Sequence, residues 1–112
     1  HIVDIGRAVQ KYAESYGYSV VRDLVGHGVG SKLHEEPEVP NFAGLRRGMK
    51  LRAGMTIAVE PMINMGVKEV YWEDDDWTVV TADLMPSAHY ENTILITDGE
   101  PEILSQAPGI AL

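Results

Sequence analysis

The chain has 112 residues, 45% of them hydrophobic, and a formal net charge of -8 from 9 Lys+Arg against 17 Asp+Glu, enough for one small domain with one core. The acidic balance argues against a nucleic-acid partner, which usually meets a basic face. The absence of cysteine excludes disulfides and thiolate metal sites, and no apolar run approaches the roughly 18 residues of a membrane-spanning helix.

No secretory signal is visible, and a cysteine-free chain is compatible with a reducing compartment, so a cytoplasmic location is expected. The chain opens at His1, directly into a helical pattern with no capping residue before it. The expectation is that upstream sequence lies elsewhere. Ile2, Ile5, Val9, Tyr12 and Tyr16 recur at spacings of three and four, which predicts an amphipathic helix with that stripe buried. Gly17 supplies a left-handed stop.

Tyr18 to Leu24 is apolar and β-branched, as a strand should be. Gly26-His27-Gly28-Val29-Gly30 reads as a glycine-rich turn around one histidine. Residues 35–54 read as a long loop, broken by Pro37 and Pro40 and punctuated by Gly44, Gly48 and Gly54. Met55 to Ile63 is a buried strand interrupted by Pro61. Glu69 to Trp72 and Trp77 to Thr81 form a hairpin across a solvated acidic turn, residues 73–76. A calcium loop is excluded there, because the spaced oxygens and the glycine are missing. His89 to Thr97 is the last long strand, Asp98-Gly99 a turn, Pro101 to Leu104 a short closing strand, and the tail from Ser105 is frayed. The sum is an α+β unit, one helix on a mostly antiparallel sheet. One helix cannot cover both faces of such a sheet, so an apolar face is left seeking a partner.

Two acids stand out. Glu60 sits in Thr56-Ile57-Ala58-Val59-Glu60-Pro61-Met62-Ile63, and Glu91 in His89-Tyr90-Glu91-Asn92-Thr93-Ile94-Leu95-Ile96. A carboxylate embedded in a strand is costly unless compensated. Either each finds a salt bridge, or both face a shared cation, or each alternates outward on a half-exposed strand. His27, between glycines, can reach a bound species. Its spacing from His34 matches no common zinc signature. One histidine and two glutamates would suit borderline divalent ions such as Mn, Fe, Co or Zn. His34 would then be free to donate a hydrogen bond to a substrate carbonyl; the alternative is a loop histidine bonded to Glu35 or Glu36.

Taken together, Gly26-His27-Gly28-Val29-Gly30, His34-Glu35-Glu36-Pro37, Gly54-Met55-Thr56 running into Val59-Glu60-Pro61-Met62, and Ser87-Ala88-His89-Tyr90-Glu91-Asn92-Thr93 resemble the type I methionine aminopeptidases in order and spacing. Trp77 in Asp76-Trp77-Thr78-Val79 fits as well. The resemblance implies that residues 1–112 are the C-terminal half of a pita-bread fold whose two α+β halves enclose two divalent ions, the N-terminal half being absent here. It implies His27, Glu60 and Glu91 as metal ligands, with Glu91 bridging. It implies His34 and Glu60 as catalytic residues, His34 against the scissile peptide and Glu60 handling a proton. His34 and Trp77 would bind substrate, Trp77 near the methionine pocket; the alternative for Trp77 is a hairpin core residue. The substrate implied is the N-terminus of a peptide or nascent protein, from which methionine is hydrolysed.

The chain departs from the family pattern in three ways. Two aspartate ligands and another histidine belong to the other half, and Asp4 and Asp23 lie in no matching motif. Position 92 is Asn where His is frequent, and position 89 is His where Gln is usual. A chain with three of five ligands is expected to bind metal weakly and hydrolyse little by itself. An Xaa-Pro aminopeptidase or prolidase is the competing enzyme. A non-catalytic interaction fragment that self-associates or awaits an N-terminal half is the competing non-enzyme.

Overall fold

The computed structural model describes residues 1–109. In chain order the elements are helix α1 (Ile2–Ser15) and strands β1 (Ser19–Val20), β2 (Gly26–Gly28), β3 (Glu35–Val39), β4 (Thr56–Val59), β5 (Met62–Asn64), β6 (Val70–Trp72), β7 (Val79–Thr81), β8 (Ser87–His89), β9 (Asn92–Leu95) and β10 (Glu102–Ile103). Every strand pair is antiparallel. The expected α+β class is therefore what the chain adopts.

The helix has better ends than its sequence suggests. Asp4 accepts a hydrogen bond from the His1 amine at 3.0 Å and another from Arg7 at 2.7 Å. An acid in the first turn sits where the helix dipole favours it, so the start is not uncapped. At the other end Tyr18 N–H donates to Ala13 O at 3.2 Å and Gly17 N–H to Glu14 O at 3.0 Å. With Gly17 at φ +80, these are the two bonds of a Schellman stop. The buried side is also rotated from the expected stripe. It comprises Ile2, Val3, Gly6 and Ala13, whereas Tyr12 and Tyr16 are 69% and 64% exposed and meet edge to face, 5.3 Å apart. Gly6 is the reason. A Cβ there would come within 2.7 Å of the Phe42 carbonyl carbon and 2.8 Å of its nitrogen, so the helix backbone lies directly on the chain at residue 42. That approach sends Ile2 into a core with Val39 and Ile57, flanked by Ile5, Leu51, Val59, Ile94 and Ile96.

The larger sheet has the order β10-β9-β4-β2-β3. The segment expected to be a glycine-rich turn is its inner strand β2. Its glycines provide room rather than flexibility. A Cβ at Gly26 would strike Ala58 O, and one at Gly28 would strike Glu36 O. The expected loop over residues 35–54 begins with β3. Pro37 is tolerated because β3 is the edge, where a strand can lack a donor. The expected strand over residues 18–24 shrinks to β1, which pairs with β5 in the second sheet, order β1-β5-β8.

The expected strand over residues 55–63 is two strands in two sheets. β4 pairs with β9 up to Val59 opposite Asn92, and β5 pairs with β8 from Met62 opposite His89. Between them the ladder narrows to one bond, Tyr90 N–H to Pro61 O at 3.3 Å. Pro61 has no N–H, so the break falls where the ladder would lack a donor. The hairpin β6-β7 forms as expected. Asp75 closes its turn, accepting from Trp77 N–H, Thr78 N–H and the Thr78 hydroxyl, which is the solvated turn anticipated. The tail expected to fray is tied down at its start, where the Ser105 hydroxyl donates to Asn92 Oδ1 and accepts from Thr93 N–H and Leu104 N–H donates to Thr93 O; its last part, residues 110–112, lies outside the described residues.

Candidate metal centre

Register alone brings the three candidate ligands together. Carried unchanged across the ladder break, the β4-β9 and β5-β8 pairings set Glu60 opposite Glu91. One row along, Ala58 pairs with Thr93 on one side and His27 on the other. Side chains two apart on a strand share a face. His27, Ala58, Glu60, Thr93 and Glu91 thus share one face, with the two acids at the kink. Like charges placed directly opposite repel. One donor atom from each of His27, Glu60 and Glu91 lies within 4.8 Å of the other two.

The imidazole is oriented by its own strand. His27 Nδ1 lies 2.9 Å from Gly28 O. A carbonyl only accepts, so Nδ1 is the donor of that contact and Nε2 is the ring nitrogen left facing the cluster. Nε2 lies 3.2 Å from Glu60 Oε2. The side chains of His27 and Glu60 are 12% and 14% exposed, and Oε2 is buried without a hydrogen bond. Glu91 stands close by. Burial first, and then the neighbouring Glu91, push the Glu60 carboxyl above the ordinary carboxylate range, against the pull of His27 and His89. Among the described residues no Lys or Arg is ion-paired with Glu60 or Glu91. A buried carboxylate oxygen without a hydrogen bond, an imidazole nitrogen aimed at it and a second carboxylate fit a divalent cation with mixed nitrogen and oxygen ligands.

The rim is more open. Glu91 is 44% exposed and lies 3.7 Å from His89 Nε2, a separation for charge and not for a hydrogen bond. His34, at the end of the loop that follows β2, packs its ring on His27, centroids 4.0 Å apart. Trp77 lies on the separate β6-β7 ribbon, in the hairpin turn and 85% exposed, so the hairpin-core alternative does not hold. One residue at the centre escaped the sequence reading. Asn41, fully buried, donates to the Glu60 carbonyl; its only sequence signal is a polar side chain in Val39-Pro40-Asn41-Phe42.

Comparison with known proteins agrees with this geometry. The family model described as metallopeptidase family M24 matches residues 1–98. The methionine aminopeptidase of Clostridium perfringens is 59% identical over 104 residues, spanning 93% of this chain and 42% of that protein. That of Clostridium acetobutylicum is 53% identical over the same lengths and shares. Among solved structures, the methionine aminopeptidase of Thermotoga maritima superposes with a TM-score of 0.90 at 46% identity, over 95% of this chain and 43% of that one. The Rickettsia prowazekii enzyme gives 0.89 at 43% identity, over 94% and 43%. The chain thus has part of the pita-bread architecture and spans about 42% of the length of the curated relatives it matches. With His27, Glu60 and Glu91 brought together at the kink of its sheets, the chain belongs to metallopeptidase family M24.

Proposed function

We propose that this chain is the C-terminal half of a metal-dependent aminopeptidase that removes N-terminal methionine from nascent proteins in the cytoplasm. The observation that carries the reading is the buried Glu60 Oε2, which receives no hydrogen bond and lies 3.2 Å from His27 Nε2, with Glu91 beside them. The ions, two of Mn, Fe, Co or Zn in the complete enzyme, supply Lewis acidity and an activated water when bound. His27, Glu60 and Glu91 would hold them. The remaining two ligands, both aspartates, and a further histidine would come from the further length that the relatives possess.

The chain's own residues suit the rest of the chemistry. Burial raises the proton affinity of Glu60, which fits a group that takes a proton from water and returns it to the leaving amine. His34, held against the His27 ring, is free to donate to the scissile carbonyl as negative charge develops there. Exposed Trp77 can cover an apolar substrate side chain. Three donors of five bind metal weakly, so the 112-residue chain alone is expected to hydrolyse little.

The test is a chimera in which this chain replaces the matching segment of the Clostridium perfringens enzyme. Release of methionine from a Met-Ala peptide, lost on Glu91→Ala, is expected. A folded, metal-loaded chimera that leaves Met-Ala intact, or cleaves Xaa-Pro in preference, would overturn the assignment.

A further inference from the structure

We infer that Asn41 is a positioning residue for the metal centre, holding the Glu60 backbone at the kink between the two sheets. The inference rests on reading His27, Glu60 and Glu91 as ligands. Asn41 and Asn64 are the buried polar residues of the described chain, both fully buried. The Asn41 side-chain nitrogen donates to Glu60 O at 3.3 Å. This is the place where the β4-β9 ladder stops and the β5-β8 ladder has not begun. The β2-β4 pairing ends at His27 opposite Ala58, so a side chain from another segment supplies Glu60 O with a donor that the sheet does not. The direction of that carbonyl sets the Glu60 peptide plane, and with it the direction of the carboxylate. A partly buried carbonyl deprived of its donor would turn to find another.

The segment carrying Asn41 is itself held from three sides. Gly6 admits the Phe42 backbone against helix α1, where a Cβ would lie 2.7 Å from the Phe42 carbonyl carbon. Gln10 Oε1 accepts from Ala43 N–H at 2.9 Å. The Arg22 guanidinium lies over the Phe42 ring, 5.1 Å from its centroid. Helix α1 thereby reaches the metal cluster through three links: Gly6 on Phe42, Asn41 next in the chain, and Glu60 beyond it. Asn64 is an internal control. It is as buried as Asn41, but its amide donates to Val67 O at 2.9 Å, away from the cluster.

The experiment compares Asn41→Leu and Asn64→Leu, which keep the branched heavy-atom skeleton and remove the amide, in the 112-residue chain. Cobalt(II) affinity and the visible absorption of the cobalt-loaded chain are read together. Asn41→Leu is expected to weaken cobalt binding about 10–100-fold and to shift the absorption bands, while Asn64→Leu leaves both unchanged. A folded Asn41→Leu chain with wild-type affinity and bands would overturn the inference, as would equal losses in both variants. The metal-free wild-type chain gives a readout that needs neither a variant nor an ion. A through-hydrogen-bond scalar coupling between Asn41 Nδ2 and the Glu60 carbonyl carbon is expected in NMR, and its absence with fast exchange of the amide protons refutes the role. Failure of the wild-type chain to take up cobalt would instead count against the ligand assignment, leaving Asn41 to be judged by that coupling.

Discussion

Glu60→Gln keeps the shape of the side chain and removes its charge, so it separates coordination from packing. A group bonded only to a ligand is worth 10–100-fold in metal affinity, and loss of the ligand itself should exceed about 10-fold. Isothermal titration with cobalt measures it. His89→Gln is expected to change that affinity by less than about fivefold, the scale of an exposed ion pair, because His89 stands 3.7 Å from Glu91 at a half-exposed rim. Asp83 sets a different, pH-dependent expectation. Its carboxylate accepts from Val67 N–H at 2.8 Å and Met85 N–H at 3.1 Å, and these bonds hold it below the ordinary carboxylate value. A depressed acid contributes stability fully above its ordinary value, near about 3.9, and loses it as pH falls through the lower folded value. The Val67 and Met85 amide resonances should therefore be flat near neutral pH, move together in strong acid, and lose that step in Asp83→Asn.

At the scale of elements, the glycines of β2 carry the clearest expectation. Gly26→Ala would drive a methyl onto the Ala58 carbonyl, with Val39 O 3.1 Å away, and Gly28→Ala onto that of Glu36. Both neighbours are backbone and cannot step aside. Each substitution should cost about 1–3 kcal/mol, the usual scale of overpacking, measured by urea denaturation. Gly44→Ala meets nothing within 4 Å and should stay within about 0.5 kcal/mol of wild type. The same glycines explain where sequence reading failed. Glycine marks turns and close backbone approaches alike, and only the packing of β3 and β4 against β2 distinguishes them. Pro37 misled in the same way, since a proline ends an inner strand and not an edge. The β6-β7 hairpin and the Gly17 stop were legible because each is decided by residues within a few positions. The tyrosine stripe of α1 was not, because Gly6 chooses the buried side through a segment some 36 positions later.

Across the whole molecule, the candidate ligands were legible as residue types and their convergence was not. Glu60 and Glu91 stand out as acids in apolar runs, yet only a register shared by two sheets sets them opposite each other. Asn41 gave no such contrast, lying in a segment whose order comes from its contacts. An apolar face is exposed among the described residues. Two open hollows of about 270 and 320 Å³ meet at Tyr18 and Ile63, with Tyr12, Tyr16 and Met65 exposed around them. A face of that kind promotes association, so light scattering on the isolated chain should give a mass rising with concentration above 12.3 kDa; a constant monomer mass would contradict it. The central claim is that His27, Glu60 and Glu91 share one cation, and anomalous diffraction from a zinc-soaked crystal of the chain tests it most directly. The expected result is one peak about 2.0–2.2 Å from His27 Nε2 and from a carboxylate oxygen of each glutamate. A crystal without that peak, in which Glu60 and Glu91 instead bond to separate cationic side chains, would contradict it.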